Sequence, residues 1–146
     1  MIDGTSPITG VGPLAQAMAT SASGLRAQAT RLRIVAENLA NVNSTAATPG
    51  GDPYQRKTVT FEQAVDKATG ASLVVPGKIG ADPAPFRTTY DPSHPADDAQ
   101  GYVRTPNVNS FVEIMDMREA QRSYSANLNV MEVTRTMLTR TIELLK

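Results

Sequence analysis

The chain has 146 residues, with 14 Lys+Arg against 14 Asp+Glu, no Cys, no Trp and one His. Without Cys there is no disulfide framework, thiolate metal site or Cys nucleophile, and a single His excludes the usual multi-His zinc sites. Zero net charge gives no electrostatic case for nucleic acid or an anionic membrane, and no run nears the ~20 apolar residues of a membrane span.

Hydrophobic residues make up 40% of the chain and charged residues 19%, as in a folded protein, but 5% aromatic is thin for a large core. The opening Met1-Ile2-Asp3-Gly4-Thr5-Ser6 has neither a basic n-region nor an apolar h-region, so no cleavable secretory signal is expected.

The first element spans residues 14–42, with one Gly and no Pro. Met18, Leu25, Leu32 and Leu39 recur every seven residues, and Leu14, Ser21, Gln28, Val35 and Val42 form a second row. That is a heptad pattern, and it predicts a helix of about 43 Å with Pro13 in its first turn. Asn38 and Asn41 share a face near its end, either as simple helix terminators or as a hydrogen-bonding patch. Arg26, Arg31 and Arg33 read as a solvated or subunit-facing strip rather than a nucleic-acid site.

Residues 48–109 hold eight of the ten Pro and six of the ten Gly, which predicts a β or irregular insert. Residues 57–61, 72–75 and 86–90 have the β-branched, alternating character of strands. His94 and the adjacent Asp97 and Asp98 are the residues there on which an enzyme could be built. No partners are nominated for them, and paired catalytic carboxylates need a set separation across a substrate. No nucleotide-binding, nucleophile-elbow or metalloprotease motif occurs.

The last element, residues 110–146, has neither Gly nor Pro. Ser110 with Glu113 has capping-box spacing. Ile114, Gln121, Leu128, Arg135 and Ile142 form one heptad row and Met117, Tyr124, Met131, Leu138 and Leu145 the other. The positions beside both helical seams, Ala22, Gly24, Ala29, Arg31 and Ala120, Asn127, Thr134 among them, are mostly small or polar and uncharged. Such flanks admit close neighbours on several sides, so the pattern leaves open a hairpin within one chain and a wall built from several.

Ser23-Gly24-Leu25-Arg26-Ala27-Gln28, followed by Val35-Ala36-Glu37-Asn38-Leu39-Ala40-Asn41, resembles the N-terminal motif of the flagellar rod and hook family of axial proteins. Arg122-Ser123-Tyr124-Ser125-Ala126-Asn127, with Val130 and Met137 beyond, resembles that family's C-terminal helix. Pro53-Tyr54-Gln55-Arg56-Lys57 and Gly101-Tyr102-Val103-Arg104-Thr105-Pro106-Asn107-Val108 are similar to its short members from the proximal rod. Two stretches depart from the family. Residues 43–51 replace a common Thr-x-Gly-Tyr/Phe turn, and residues 64–82 match no pattern in it.

The resemblance implies a mainly α fold, with long terminal helices pairing as a coiled-coil-like hairpin around a Pro/Gly-rich middle. Its segments are residues 1–47, 48–109 and 110–146. It implies a non-catalytic structural subunit of the periplasm-spanning rod of the flagellar basal body, exported by the type III apparatus without a cleavable signal. Expected partners are further copies, neighbouring rod proteins, the export apparatus and the basal-body base. No cofactor, metal, nucleic acid or direct membrane insertion is expected. Candidate assembly residues are Met18, Leu25, Leu32, Asn38, Leu39 and Asn41 on the first helix. On the last they are Met117, Tyr124, Asn127, Leu128, Met131 and Leu138. Another proximal rod subunit and a soluble coiled-coil adaptor are the alternatives. Terminal helices whose seams need neighbours should be largely unfolded in the free subunit.

Overall fold

A computed structural model describes residues 11–145. The elements in chain order are α1 (Val11–Ala40), β1 (Lys57–Val65), β2 (Ser72–Ala81), β3 (Arg87–Tyr90), β4 (Tyr102–Thr105) and α2 (Ser110–Leu144). The fold is mostly helical, with two two-stranded sheets, β1–β2 and β3–β4, between the long helices. The three strand segments expected from β-branched alternation are present as β1, β2 and β3; β4 lies in the segment from Gly101 to Val108.

The helix ends differ from expectation by short-range chemistry. Val11 begins α1, two residues before Pro13, which still lies in the first turn where its missing N–H is not needed. The helix stops at Ala40, and Asn41 folds back on it. Its backbone N–H donates to the carbonyls of Glu37 and Asn38 (both 3.2 Å), and its Nδ2 donates to the Glu37 carbonyl at 2.8 Å.

At the start of α2 the expected Ser110–Glu113 capping box does not form. Asn109 is the cap, its Oδ1 accepting the N–H groups of Phe111 (3.0 Å) and Val112 (3.5 Å). Glu113 is 0% exposed and its carboxylate points elsewhere.

By internal contacts the chain forms two compact units. The terminal unit comprises α1 up to Ala29, Phe61–Pro76, and α2 from Gln121; the central unit comprises Thr30–Thr60 and Gly77–Ala120. In the central unit Ile34, Val35, Pro53, Ala96, Val103, Pro106, Val108 and Ala120 are buried beside the polar Asn38 and Glu113.

The β3–β4 ribbon belongs to this central unit, in antiparallel register Arg87↔Thr105 through Tyr90↔Tyr102. Its long turn closes on Gly101, whose φ of 82° suits glycine and where a Cβ would come within 3.0 Å of Pro92. Asp98 holds the same turn. Its Oδ1 accepts the N–H groups of Tyr102 and Gln100 (2.9 Å each), which keeps its carboxyl below the usual carboxylate range.

Every buried residue described in the terminal unit is small: Ser21, Ser23, Ala27, Ala71 and Thr134. Its larger apolar side chains, such as Met18, Leu25, Met131 and Leu138, are half-buried. One face of α1 acts there as a substitute strand. Gln16 donates to the Thr69 carbonyl (2.7 Å), Thr20 to the Ser72 carbonyl (3.0 Å), and Ser23 Oγ accepts the Val74 N–H (3.1 Å). These residues satisfy backbone groups that a lone hairpin would leave open. Gln28 Oε1, by contrast, is buried with no hydrogen-bond partner among the described residues.

Candidate assembly site

Burial along α2 re-draws one of its two rows. Met117, Tyr124, Met131 and Leu138 are half-buried, and Leu145 is 67% exposed. The row beside them that turns inward is Glu113, Ala120, Asn127, Thr134 and Thr141, one residue ahead of the expected one. Ile114 (42%), Leu128 (41%) and Ile142 (50%) face out.

The inward row is small or polar, which permits close approach. In the terminal unit the site of a Gly24 Cβ lies 2.8 Å from the Asn127 side chain, so the glycine provides the space that Asn127 fills. Asn127 Nδ2 donates to the Ser123 carbonyl of its own helix at 2.9 Å. Thr134, Thr136, Thr139 and Thr141 likewise bond the carbonyls four residues earlier, so their hydroxyls are already engaged.

The central unit contains a buried polar hub built around Asn38. Its Nδ2 donates to the Lys57 carbonyl (2.9 Å) and to Glu113 Oε2 (3.1 Å). Its Oδ1 accepts the Lys57 N–H (2.9 Å) and the Tyr54 hydroxyl (2.8 Å). One helix side chain thus pairs with both backbone groups of a strand residue, as a neighbouring strand would, and uses all four of its hydrogen-bonding sites.

The second oxygen of Glu113 accepts from Arg56 Nε at 2.5 Å, and Arg56 Nη1 reaches Asp82 Oδ2 at 3.3 Å. Asn107 completes the hub. Its Oδ1 takes the Arg56 N–H (2.8 Å), and its Nδ2 donates to the carbonyls of Asp82 (3.1 Å) and Ala84 (2.9 Å). Lys57 Nζ pairs with Glu37, and Arg31 pairs with Asp116. The two contacts Arg31–Asp116 and Asn38–Glu113 run in opposite chain directions, so α1 and α2 are antiparallel within this unit.

The hub's titration follows from burial. Desolvation, with the negative charges of Glu37 and Glu113 adding to it, pushes the Tyr54 hydroxyl from an ordinary 10.0 up to about 12. For Arg56 burial alone would lower the pKa; the hydrogen bonds and charges of Glu113 and Asp82 overcome it and raise the value.

Asn38 therefore bonds within its own chain, and Asn41 bonds within its own helix. Leu32 and Leu39 are half-buried, and so is Asn127. Sequence reasoning took Glu113 for a cap and assigned no role to Tyr54, Arg56, Asp82 or Asn107. Their signal was indirect, since Tyr54, Arg56 and Asn107 stand in the two middle segments similar to proximal rod proteins. His94 Nδ1 accepts the Ala96 N–H at 3.0 Å as part of its turn. No group of three or more His, Asp or Glu among the described residues could hold a metal ion. No described helix is long and apolar enough to cross a membrane.

Two family models match the chain where its helices lie. Residues 18–47 match "Flagella basal body rod protein", and residues 99–144 match "Flagellar basal body rod FlgEFG protein C-terminal". The flagellar basal-body rod protein FlgC of Agrobacterium fabrum is 52% identical over 134 residues, covering 92% of this chain and 96% of that protein. FlgC of Salmonella typhimurium is 39% identical, with 84% and 90% covered, and FlgC of Bacillus subtilis is 35% identical, with 85% and 93% covered. With such identity along nearly the whole length of both proteins, the chain belongs to the FlgC family of flagellar basal-body rod proteins.

Proposed function

We propose that this chain is a structural, non-catalytic subunit of the proximal rod, polymerising through its terminal helices into the wall of the export channel. Neighbouring rod proteins and further copies are its partners, with the export apparatus and the basal-body base below. It is exported without a cleavable signal. The terminal segments, residues 1–47 and 110–146, form the rod core as a coiled-coil-like hairpin, and residues 48–109 project from it. Met18, Leu25, Leu32, Leu39, Asn127 and Leu128, with Met117, Tyr124, Met131 and Leu138, contribute to the packing of that core; Asn38 and Asn41 secure the end of its first helix.

The observation that carries this reading is the outward face of α2. Val130, Val133, Met137 and Leu144 stand 48%, 54%, 52% and 88% exposed on a helix whose inward row is small and polar. An apolar row facing water along a helix is a surface for association, and family membership supplies the setting. Deleting the gene and imaging the basal bodies tests it. Basal bodies that stop at the membrane ring without a rod, restored by re-expression, support the assignment. Complete rods and hooks in the deletion strain would overturn it in favour of a soluble adaptor.

A further inference from the structure

The apolar seams of α1 and α2 repeat themselves. Met18, Leu25, Leu32 and Leu39 recur every seven residues on α1, as do Met117, Tyr124, Met131 and Leu138 on α2. Sliding one helix by seven residues along the other exchanges like for like, so apolar burial separates the two arrangements only weakly.

The buried polar groups do not repeat. Asn38 is 1% exposed and Glu113 is 0% exposed, and each is also held from a third segment of chain, by Tyr54 and Lys57 and by Arg56 respectively. A one-heptad slide of α2 in one direction sets Ala120 opposite Asn38; in the other it sets Arg31 opposite Glu113. Either slide takes Glu113 away from Arg56 and from the Asn38 amide together, and a buried carboxylate stripped of its partners is strongly disfavoured.

We infer that Asn38 and Glu113 are a register lock: a positioning pair that selects one of several nearly equivalent heptad alignments of α1 on α2. Buried polar groups serve best as registry devices of this kind. The register decides which outward side chains stand side by side, and so what surface a neighbouring subunit meets. The lock concerns the chain's own packing and does not depend on the rod assignment.

The absence of Cys makes cross-linking a clean assay. In the terminal unit Gly24 lies against Asn127, so Gly24→Cys with Asn127→Cys reports the native register. Gly24→Cys with Ala120→Cys, or with Thr134→Cys, each with Asn127→Ala so that the new Cβ meets no clash in the native register, reports the two slides. Each pair is placed in the purified full chain, with and without Asn38→Leu/Glu113→Leu, and oxidised mildly.

The native pair alone should cross-link when Asn38 and Glu113 are present, and all three pairs in comparable yield when both are Leu. If the double variant loses its helical circular dichroism, Glu113→Gln carries the test, because it keeps the shape and removes the charge; slid pairs should then appear. Native cross-linking alone in both variants would reduce the pair to a stability role and overturn the lock. Slid pairs in the chain with Asn38 and Glu113 intact, or no cross-link at all there, would overturn it equally.

Discussion

The central and terminal units are stabilised in different ways. The central unit encloses Ile34, Val35, Val103 and Val108, and the buried polar groups of its hub are hydrogen-bonded. The terminal unit buries no residue larger than Thr among its described residues, leaves Gln28 Oε1 unpaired, and keeps Met18, Leu25, Tyr124, Met131 and Leu138 only half-buried. Burial contributes roughly 25 cal/mol per Å² of apolar area, so the two units cannot be equally stable alone. The difference teaches that the buried apolar core and the satisfied polar hub are confined to one part of the chain.

The comparison is most easily broken at Glu113. Glu113→Ala leaves Arg56 and Asn38 without their buried acceptor. Removing one partner of a buried pair costs about 3–5 kcal/mol; the lower end applies here, because Arg56 keeps Asp82 and is 23% exposed. Denaturant unfolding of the purified chain should show the central unit lost. A midpoint equal to that of the unaltered chain would mean that the hub does not hold this unit together.

In the terminal unit Gly24→Val drives a side chain into Asn127. Overpacking of this kind costs about 1–3 kcal/mol, partly offset by the better helix propensity of Val. Motility should fall while the central unit melts as before, and Asn127→Ala in the same chain should restore it. Amide exchange in the free chain sharpens the contrast: residues 111–120 of α2 should be protected more strongly than residues beyond Gln121. Equal protection along α2 would erase the distinction between the units.

A smaller effect is expected at Tyr54. Its pKa is raised in the fold, so the stability it contributes is complete below about pH 10 and is lost as the pH rises through about 12. Tyr54→Phe should cost about 0.5–1.5 kcal/mol for the lost bond to Asn38 and should remove the last phase of the tyrosinate absorbance titration. If that phase persists, another tyrosine is the protected one.

The sequence made the helices legible because Gly and Pro are absent where heptads run, and the strands legible from their β-branched alternation. It misleads at α2, where hydropathy points to a bulky inward row. Ile114, Leu128 and Ile142 look like core by hydropathy, but Ala120, Asn127 and Thr134 take the inside where side chains must be small enough for close approach. The hub was half-legible. Asn38 stood out as a poor helix-interior residue, while Glu113 had a complete local explanation as a cap, and its real partner Arg56 lies 57 residues away in sequence. A short-range pattern hides a long-range role whenever both need the same residue type.

Leu128 gives the smallest effect on the subunit and the sharpest test of the contrast. It is 41% exposed, so Leu128→Asp creates no buried charge in the free chain and should change unfolding by no more than about 0.5 kcal/mol. In a polymer whose neighbours cover the Leu128 side of α2, the same carboxylate is desolvated without a cation, a cost of several kcal/mol repeated at every subunit. The expected result is therefore a chain as stable as its parent, present in the cell at normal levels, and absent from rods. Normal motility with Leu128→Asp would show that the Leu128 side of α2 stays in water after assembly.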